Sequence, residues 1–573
     1  MKRLLRLATL VLWLASSASA LVYLPLNLPM RDGVDLATDF YLPNDWATAK
    51  YPTLLVRTPY DKNLAASLGA YADQGVAVVI QDTRGRFASE GTDGVFTTDG
   101  WGDLQDGGDT CAWIRAAGGW YNGRIVSWGA SALGILQYQL AGAAPEGLVG
   151  QVVLIGAPDL YDYVFYPGGV FRQEDITNWL DGQGSLFFLA TLAAHPAKDD
   201  FWEGRNLTNR AAVLGPPAYH LGGWFDLFSQ GTLDAYDIYR HAAGLDGQYL
   251  VMGPWTHGGV GLQEQNELTF PANATQYWEG GENPADAFMW AALRDELDSF
   301  DAPAVVYYVM GDVDDAQAPG NVWRQAADFP PASSEVKLYL QPGGGLYVDP
   351  AAPENLAYDY DPDDPTPSQC GLSLTFNPGP CDLRAYDARS DVLYFETPVL
   401  PQPAEVTGRV RLDLAFTSSA TDTDFAAFLV DVYPDGRKML FLHGILRASF
   451  RGGFAAGAAL APDQADRLSV DLWSTSMVFN AGHKIGLYVA SANYPMHATN
   501  LNNFGQHLAQ KTTAHNVVRT GEVSALVLPV VGDFPWHAAA SDDDTGDDTA
   551  ADDDDDIAGD DDAGRHAASG CCG

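Results

Sequence analysis

A serine with small neighbours on both sides is the first residue in this sequence that could do covalent chemistry. Ser131 lies in Gly129-Ala-Ser-Ala-Leu-Gly134, after a predicted strand that ends near Ser127 and before a predicted helix that begins at Ile135. A tight turn from strand to helix needs small residues, and it exposes the serine hydroxyl as a nucleophile. The spacing is G-x-S-x-x-G rather than the common G-x-S-x-G. A glycine-rich connection without chemistry would look the same, so the motif alone leaves both interpretations open.

An acid and a base follow this serine in the order that such a nucleophile uses. A serine hydroxyl is a weak nucleophile, so it needs a base within hydrogen-bond reach and an acid that orients the base. Asp226 ends the motif Gly222-Gly-Trp-Phe-Asp226, and His257 ends Gly253-Pro-Trp-Thr-His257, each directly after a predicted strand. The order Ser, Asp, His at strand exits predicts that Ser131, Asp226 and His257 meet at one edge of a sheet.

Simpler roles and other histidines are the alternatives to this triad. Asp226 could be a solvated loop carboxylate, and His257 could make only a hydrogen bond within a turn. The other histidines considered lie inside a predicted strand, in the later β region or away from a strand exit: His220, His443, His483, His497, His507, His515, His195 and His241. Because three separate placements would have to coincide by chance, the triad is the favoured interpretation.

Two hydrogen-bond donors and three tryptophans complete the predicted site. The charge that develops on a carbonyl oxygen needs preorganised donors, and the backbone N–H of Ala132, directly after the nucleophile, is one. The second candidate is the phenol of Tyr60, in Arg57-Thr-Pro-Tyr60, with an ordinary packing tyrosine as the alternative. No cofactor and no catalytic metal is predicted. The predicted aromatic walls of the substrate pocket are Trp179, Trp224 and Trp255.

The elements that must position these residues belong to a predicted α/β domain. From residue 52 to about 253, short apolar runs alternate with longer amphipathic or glycine-rich stretches. This pattern is typical of a mostly parallel sheet covered by helices. Between 158 and 217 the strand pattern gives way to aromatic, helix-compatible segments, which predicts a helical cap inserted in a domain over residues 21–300. The clearest predicted elements are strands at 52–56, 76–80, 124–127, 152–155 and 248–252, and a helix at 103–117.

The pattern changes after about residue 300 to alternating strands with turns such as Tyr433-Pro-Asp-Gly436. We expect an all-β sandwich over residues 301–535. Residues 536–573 are mostly Asp, Ala, Gly and Thr and end near Cys571-Cys572, which predicts a disordered tail. This tail is either a solvated spacer or a segment that attaches the protein to the cell surface.

The formal net charge of −42 argues against nucleic acid and anionic membranes as partners. The expected partner is a small-molecule substrate, and the 15 tryptophans favour an aromatic pocket for it. The oligomeric state stays open.

The N-terminus has the order of a secretory signal. Lys2, Arg3 and Arg6 precede an apolar stretch at 7–14 and the small residues 18–20. We expect residues 1–20 to be removed and the protein to be secreted or held at the cell surface; an uncleaved membrane anchor is the alternative. In an oxidising compartment Cys370 and Cys381 could form a disulfide.

A set of short motifs covers the chain from about residue 28 to 531. In the first half they are Arg57-Thr-Pro-Tyr60, Asp82-Thr-Arg-Gly85, Gly129-Ala-Ser131, Gly223-Trp-Phe-Asp226 and Gly253-Pro-Trp-Thr-His257. In the β region they are Arg389-Ser-Asp-Val392, Thr421-Asp-Thr-Asp-Phe425, Asp431-Val-Tyr-Pro-Asp-Gly436 and Ala481-Gly-His-Lys484. Together these motifs resemble the cocaine-esterase and X-Pro dipeptidyl-peptidase family.

The resemblance implies an α/β-hydrolase domain, a helical cap and a C-terminal jelly-roll domain that closes the pocket. It implies Ser131 as nucleophile, Asp226 as orienting acid and His257 as base, with Tyr60 and Ala132 as the oxyanion hole. One departure concerns Ala132, because relatives usually have Tyr directly after the nucleophile. Alanine keeps the backbone donor but changes the wall of the pocket.

Several activities occur in this family, including hydrolysis of esters, of α-amino esters and of β-lactam amides, and removal of X-Pro dipeptides. Relatives that hold a substrate ammonium resemble a pattern with acidic residues shortly after the catalytic Asp, where this chain has Leu227, Phe228 and Ser229. We therefore expect a secreted serine hydrolase that cleaves an ester, or an amide, of an uncharged aromatic acyl group. The alternatives are an X-Pro dipeptidyl-peptidase and a non-catalytic surface-binding protein that uses the jelly roll.

Overall fold

A ten-stranded, mostly parallel sheet forms the first part of the protein. The computed structural model describes residues 21–117, 119–277 and 283–536. The first strands of the sheet are β1 (Val22–Pro29), β2 (Asp35–Leu42), β3 (Tyr51–Thr58), β4 (Ala77–Asp82) and β5 (Tyr121–Ala130). They are followed by β6 (Leu148–Leu154), β7 (Ala218–Phe225), β8 (Gln248–Thr256), the short hairpin β9 (Glu264–Gln265) and β10 (Leu268–Thr269), β11 (Val305–Val309) and β12 (Val322–Ala326). The hairpin is separate, and the sheet order is β1-β2-β4-β3-β5-β6-β7-β8-β11-β12.

The strands that carry the predicted site lie in the centre of this sheet. From β4 to β11 neighbouring strands are parallel. Every residue of β4 and of β7 is buried, which explains why these strands have continuous apolar runs or small residues rather than alternation. Because parallel strands end at the same edge of a sheet, the loops that follow β5, β7 and β8 all begin at one edge.

Helices cover the sheet and form an insertion between β6 and β7. The helices are α1 (Asp106–Ala117), α2 (Ala132–Gly142), α3 (Gln173–Gly182), α4 (Leu189–Ala194), α5 (Asp200–Glu203), α6 (Ser229–Asp237) and α7 (Pro284–Arg294). Helices α3 to α5, with short turns at Leu160–Phe165 and Leu207–Val213, occupy the region that the sequence predicted as a cap. Phe288 and Met289 of α7 pack in one cluster with Val126 and Val152 of the sheet.

An eleven-stranded sheet forms the second part of the protein. Its strands are β13 (Ser334–Gln341), β14 (Gly345–Tyr347), β15 (Asn355–Tyr360), β16 (Leu393–Glu396), β17 (Ala404–Ser418), β18 (Asp424–Val432), β19 (Lys438–Arg447), β20 (Asp466–Phe479), β21 (Lys484–Ala490), β22 (Ala514–Arg519) and β23 (Ala525–Val531). The order is β15-β22-β17-β23-β13-β14-β16-β21-β18-β19, with β20 paired to β17. Nearly all of these pairings are antiparallel, the exception being β14 with β16. Whether the strands form a jelly roll stays a prediction.

The α/β sheet extends beyond residue 300, where the sequence predicted that the all-β region begins. Strand β11 pairs in parallel with β8, with Val305 opposite Leu250. Strand β12 then pairs antiparallel with β11. The α/β sheet therefore continues to Ala326, and the second sheet begins at Ser334.

The two sheets share one hydrophobic core. Trp224 and Phe225 at the end of β7 lie in the same buried cluster as Phe441 and Phe479 of the second sheet. The rings of Phe225 and Phe441 are 6.1 Å apart. The second sheet is therefore packed against the edge where the predicted catalytic residues lie.

Two further expectations concern covalent links and segments at the ends. Cys370 and Cys381 form a disulfide, and Cys111 is a buried free cysteine. The predicted signal at 1–20 and, beyond Trp536, the predicted tail lie outside the described residues. Within the part of the chain that the structure describes, no helix has the length and apolar character needed to span a membrane.

Candidate active site

The turn between β5 and α2 holds Ser131 in a conformation that exposes its side chain. Ser131 has φ 59° and ψ −123°, a region that residues other than glycine seldom adopt. Its backbone N–H donates to Leu154 O at 3.0 Å, and its carbonyl accepts from the N–H of Ile135 at 3.0 Å. Such a residue costs roughly 1–3 kcal/mol of strain and persists because the surrounding structure holds it.

The unusual motif spacing is explained by close packing of α2 on the sheet. A side chain on Gly134 would place its Cβ 3.1 Å from Gly156 Cα and from Leu154 O. The glycine three residues after the serine therefore allows α2 to lie close to the end of β6.

The structure brings Ser131, His257 and Asp226 together. His257 Nε2 lies 2.8 Å from Ser131 Oγ, and His257 Nδ1 lies 2.8 Å from Asp226 Oδ1. A carboxylate only accepts, so Nδ1–H donates to Asp226 and Nε2 is free to accept the serine proton. Asp226 is fully buried, and 9 % of His257 is exposed. This geometry is that of a nucleophile, a base and an orienting acid.

The loop after β7 fixes the carboxylate of Asp226. The N–H of Phe228 donates to Asp226 Oδ1 at 3.0 Å. The ring of Phe228 contacts the imidazole of His257 edge to face, with 5.5 Å between the ring centroids. The buried guanidinium of Arg172 donates to the carbonyl of Leu227 at 3.4 Å, so a fixed positive charge lies near this carboxylate.

A glutamine that the sequence analysis missed holds the loop that carries His257. Gln265 Oε1 accepts from the backbone N–H of Thr256 at 2.8 Å and from its hydroxyl at 2.9 Å. Gln265 Nε2 donates to Gly259 O and to Leu262 O, at 2.8 and 2.9 Å. The side chain is buried, so its four bonds are shielded from water. No short motif marks such a residue, because its role depends on where the loop folds back.

Tyr60 and Ala132 lie where the two oxyanion donors were predicted. Ala132 opens α2, where the first N–H groups of a helix have no acceptor within the helix. Tyr60 Oη accepts from Trp179 Nε1 at 2.9 Å. Burial raises the pKa of Tyr60, and hydrogen bonds from Trp179 and with Ser131 partly oppose that rise. The phenol therefore stays protonated at neutral pH and can donate to an oxygen beside Ser131.

A small, mostly apolar cavity of about 30 Å³ lies beside Ser131. Trp179 lines it, as the sequence predicted. Other residues that line it are Phe96, Ile135, Val164, Phe165, Ile176, Leu227, Phe228 and Leu374. Most of them come from the cap, which the sequence predicted as aromatic, and from the loop after β7, which the sequence did not assign to the pocket.

Trp224 and Trp255 do not line this cavity, and the expectation that they form its wall is wrong. Trp224 is fully buried, and its Nε1 donates to Tyr308 O at 2.7 Å. Trp255 is 1 % exposed, and its Nε1 donates to Ala274 O at 2.9 Å. Trp224 packs in the cluster shared by the two sheets, and Trp255 packs in a cluster of the α/β sheet. The predicted catalytic side chains belong to the loops that follow the strands.

The second sheet supplies one wall of the cavity through a loop held by the cap. Asp175 of α3 accepts with Oδ1 from the backbone N–H groups of Leu374 and Thr375, both at 3.0 Å. The hydroxyls of Ser373 and Thr375 donate to the same oxygen, at 2.8 and 3.1 Å. The disulfide between Cys370 and Cys381 closes this loop. Leu374 thereby reaches the cavity beside Ser131.

Metal ligands were also considered around the site. Among residues 21–117, 119–277 and 283–536, no group of three or more His, Cys, Asp or Glu side chains could hold a metal ion.

Comparisons with known families match both parts of the chain. A family model described as X-Pro dipeptidyl-peptidase (S15 family) matches residues 32–187 and 180–259. A model described as X-Pro dipeptidyl-peptidase C-terminal non-catalytic domain matches residues 299–527. Among curated proteins, a cocaine esterase from Rhodococcus sp. (strain MB1 Bresler) is 32% identical over 88% of this chain and 97% of its own length.

Solved structures share the fold over nearly the whole chain. An aminopeptidase from the marine sediment archaeon Thaumarchaeota archaeon has a TM-score of 0.75 at 24% identity and covers 89% of this chain and 96% of its own. An α-amino acid ester hydrolase has a TM-score of 0.73 at 24% identity, with 91% and 98% covered. A CocE/NonD family hydrolase from Staphylococcus aureus has a TM-score of 0.69 at 18% identity, with 88% and 93% covered. These likenesses confirm the predicted fold, an α/β-hydrolase domain followed by a β domain.

Proposed function

The chain belongs to the cocaine-esterase and X-Pro dipeptidyl-peptidase (S15) family of serine hydrolases, and from that premise we propose that it cleaves esters through an acyl-enzyme on Ser131. The observation that carries this proposal is the bond from Ser131 Oγ to His257 Nε2 at 2.8 Å, with Asp226 at the same distance from Nδ1. A relative named an esterase, at 32% identity, favours ester over peptide substrates.

The proposed reaction has two stages, acylation of Ser131 and hydrolysis of the acyl-enzyme, after which Ser131 and His257 are back in their starting protonation states. His257 Nε2 takes the proton of Ser131 as Oγ attacks the ester carbonyl, and the new oxyanion accepts bonds from Ala132 N–H and the Tyr60 phenol. His257 then protonates the departing alkoxide, which leaves as an alcohol. Water enters, gives a proton to His257 and attacks the acyl carbon. Collapse of this second intermediate returns the proton to Ser131 and releases the acid.

We propose that the acyl group is uncharged and apolar. The cavity beside Ser131 is lined by aliphatic and aromatic side chains, with Trp179 as its tryptophan wall. Asp175 is the one carboxylate among the residues that line the cavity; its Oδ1 binds the loop at 373–375, and its Oδ2 is buried without a partner among the described residues. At about 30 Å³ the cavity holds little more than water, so an aromatic acyl group requires side chains of the cap to move outward.

Steady-state rates on matched substrates test this function. Phenyl acetate, phenyl benzoate, their anilides and glycyl-prolyl anilide would be compared with wild-type protein and with Ser131→Ala. We expect turnover of the esters to exceed that of the anilides, and Ser131→Ala to lower kcat by about 10⁶. Faster release from glycyl-prolyl anilide than from any ester would instead identify a dipeptidyl-peptidase. Equal ester rates in wild type and Ser131→Ala would refute the role of Ser131.

We also propose that the protein is exported and works outside the cytoplasm. The basic, apolar and small-residue order of residues 2–20 supports export. The disulfide between Cys370 and Cys381 supports it as well, since disulfides persist in oxidising compartments. Mass spectrometry of protein recovered from its native host should give an N-terminus near Leu21; an intact Met1 would contradict export by a cleaved signal. Modification at Cys571 or Cys572 would support attachment to the surface.

A further inference from the structure

A second cavity, of about 250 Å³, lies between the helical cap and the second sheet, outside the candidate active site. Its polar end is formed by Arg172, His443 and His497, all buried. Its outer end includes Arg409 and Ser469, which are exposed. Arg172 also lies near Asp226 and donates to Leu227 O, but the proposed reaction moves no proton to or from any of these side chains.

The Nε–H group of Arg172 has no hydrogen-bond acceptor among the residues that the structure describes. Nη1 donates to Leu372 O at 3.1 Å, and Nη2 donates to Tyr163 O and Leu227 O at 3.4 Å. Nε is buried, and no hydrogen-bond acceptor among the described residues is within its reach. A guanidinium can only donate, and a buried donor without an acceptor is destabilising. An acceptor inside the cavity would satisfy it.

The two histidines add ring nitrogens to the lining of the same cavity. His443 Nε2 accepts from the N–H of Leu372 at 2.9 Å, and burial lowers the pKa of His443 to about 3. The neutral ring therefore carries its proton on Nδ1. His497 Nδ1 is buried with no partner among the described residues, and burial and the nearby Arg172 charge hold the pKa of His497 well below its usual range. His497 is 3 % exposed, so solvent outside the cavity does not satisfy it.

Carboxylates also face this region, and most are already paired. Asp162 accepts from Lys198 Nζ at 2.5 Å, and Asp471 accepts from Arg409 Nε at 3.0 Å. Asp175 and Asp226 also interact electrostatically with Arg172. One oxygen of each binds the loop at 373–375 or His257, and Oδ2 of each is buried without a hydrogen-bond partner among the described residues. Within the cavity itself, the charge that lacks a bonded counter-ion is the guanidinium.

The remaining walls are apolar and partly aromatic. Trp473 lies against Arg172, with the guanidinium carbon 5.8 Å from the ring centroid. The rings of Tyr163 and Trp473 are 6.2 Å apart, and Phe454 also lines the space. Drug-sized ligands occupy pockets of about 300–1,000 Å³, so this cavity suits a smaller molecule.

We propose that this cavity is a binding site for a small carboxylate with a ring-sized apolar body. Its oxygens would accept from Arg172 Nε and from the ring N–H groups of His443 and His497, with the His497 proton on Nδ1, and its body would pack against Trp473, Tyr163 and Phe454. This site is separate from the cavity beside Ser131, and the proposal does not depend on esterase activity.

Benzoate is the probe, titrated by calorimetry into the Ser131→Ala chain. We expect one benzoate per chain, and at least tenfold weaker binding of benzamide, which has the same shape without the charge. His497→Phe removes the unpartnered nitrogen at similar volume, and Arg172→Met removes the charge. Each should weaken benzoate binding at least tenfold, whereas the control Tyr60→Phe, in the other cavity, should leave it unchanged.

A crystal soaked in benzoate locates the site. Density beside Arg172 and His497 would support the proposal. Density only beside Ser131, equal affinity for benzamide, or unchanged benzoate affinity in His497→Phe would overturn it and leave a water-filled cavity. If Arg172→Met does not fold, His497→Phe decides the result, because it exchanges an unpaired buried polar ring for an apolar one.

Discussion

Tyr60 lines the substrate cavity and is the second proposed oxyanion donor. Removing its hydroxyl oxygen therefore measures how much this donor contributes to kcat. Tyr60→Phe keeps the ring and removes the donor. Loss of one oxyanion donor costs about 10²–10³ in kcat in a serine hydrolase, and we expect a fall of that size with little change in KM. Steady-state kinetics on phenyl acetate would measure it.

The control for this variant is Trp179→Phe, which removes the indole N–H that donates to Tyr60 but keeps the phenol. It should lower kcat much less than Tyr60→Phe does. Equal kcat in Tyr60→Phe and wild type would mean that the backbone N–H of Ala132 and other donors suffice, and that Tyr60 only packs.

The buried imidazole of His220 should make the free energy of unfolding depend on pH. Burial lowers the pKa of His220 to about 3, from about 6.5 in the unfolded chain. Between those values the unfolded chain binds a proton that the folded chain does not, so this residue's contribution is present above pH 6.5 and is lost as the pH falls. From pH 7.5 to 5.0 the loss is about 2 kcal/mol.

Urea unfolding of wild type and His220→Gln at pH 7.5 and 5.0 measures this contribution. Other groups, such as the buried Asp431 whose pKa burial raises to about 6, act in the opposite direction in both proteins and cancel in the difference. The wild type should lose about 2 kcal/mol relative to the variant at pH 5.0. A difference between the two proteins that does not change with pH would show that folding leaves the pKa of His220 unshifted.

At the residue scale, chain order predicted the catalytic residues better than it predicted the pocket. Ser131, Asp226 and His257 could be selected because each follows a strand, and parallel strands end at one edge. Trp224 and Trp255 lie in the same motifs, but a side chain within or beside a strand end points into a layer of the core. Which layer receives a ring depends on the partner surface, and the motif does not contain that information.

At the scale of elements, the ends of β7 and β8 approach so closely that a glycine is required. A Cβ on Gly223 would overlap the backbone carbonyl oxygen of Trp255. Backbone cannot move aside as a side chain tip can, so Gly223→Ala should lower the free energy of unfolding by about 3 kcal/mol. Gly215→Ala is the matched control, since a Cβ there meets nothing within 4 Å. Equal urea midpoints for the two variants would contradict this packing.

The contact between α3 and the loop at 373–375 should act on substrate binding more than on chemistry. Asp175→Ala removes the acceptor of four hydrogen bonds and frees Leu374 from its place in the cavity. We expect KM for phenyl benzoate to rise about tenfold, which corresponds to about 1.4 kcal/mol of binding free energy, with a smaller change in kcat.

Asp175→Asn is the control, because its amide oxygen can still accept these bonds, and it should recover most of the wild-type KM. A fall in kcat without a rise in KM in Asp175→Ala would show that Asp175 acts on the triad instead. If Asp175→Asn raises KM as much as Asp175→Ala does, the negative charge of Asp175 is itself needed.

The elements themselves followed the sequence closely, except where a strand's partner is distant. The predicted strands at 52–56, 76–80 and 248–252 lie in β3, β4 and β8. The sequence predicted only that the strands after about residue 300 belong to a β region, and the five buried residues of β11 have the same local pattern in either sheet. Only pairing with β8 decides its membership, and no local signal in the sequence encodes that pairing.

At the scale of the whole molecule, the two sheets are one structural unit around the site. The α/β sheet supplies the proposed nucleophile, base and acid, the cap supplies Trp179 and Asp175, and the second sheet supplies Leu374. The largest buried cluster crosses from β7 to the second sheet. The sequence predicted two domains with a cap, but the loop that closes the cavity could not be predicted, since it is placed by contacts between parts far apart in the chain.

Covalent labelling measures directly whether Ser131 is an activated nucleophile. The protein would be treated with a fluorophosphonate and digested, and the labelled peptide would be mapped by mass spectrometry. The variant His257→Ala is the control for activation of the serine. We expect one label, on Ser131, with labelling slowed by orders of magnitude in His257→Ala and abolished in Ser131→Ala. Absence of any label on wild-type protein, or a label on another serine that persists in Ser131→Ala, would contradict it.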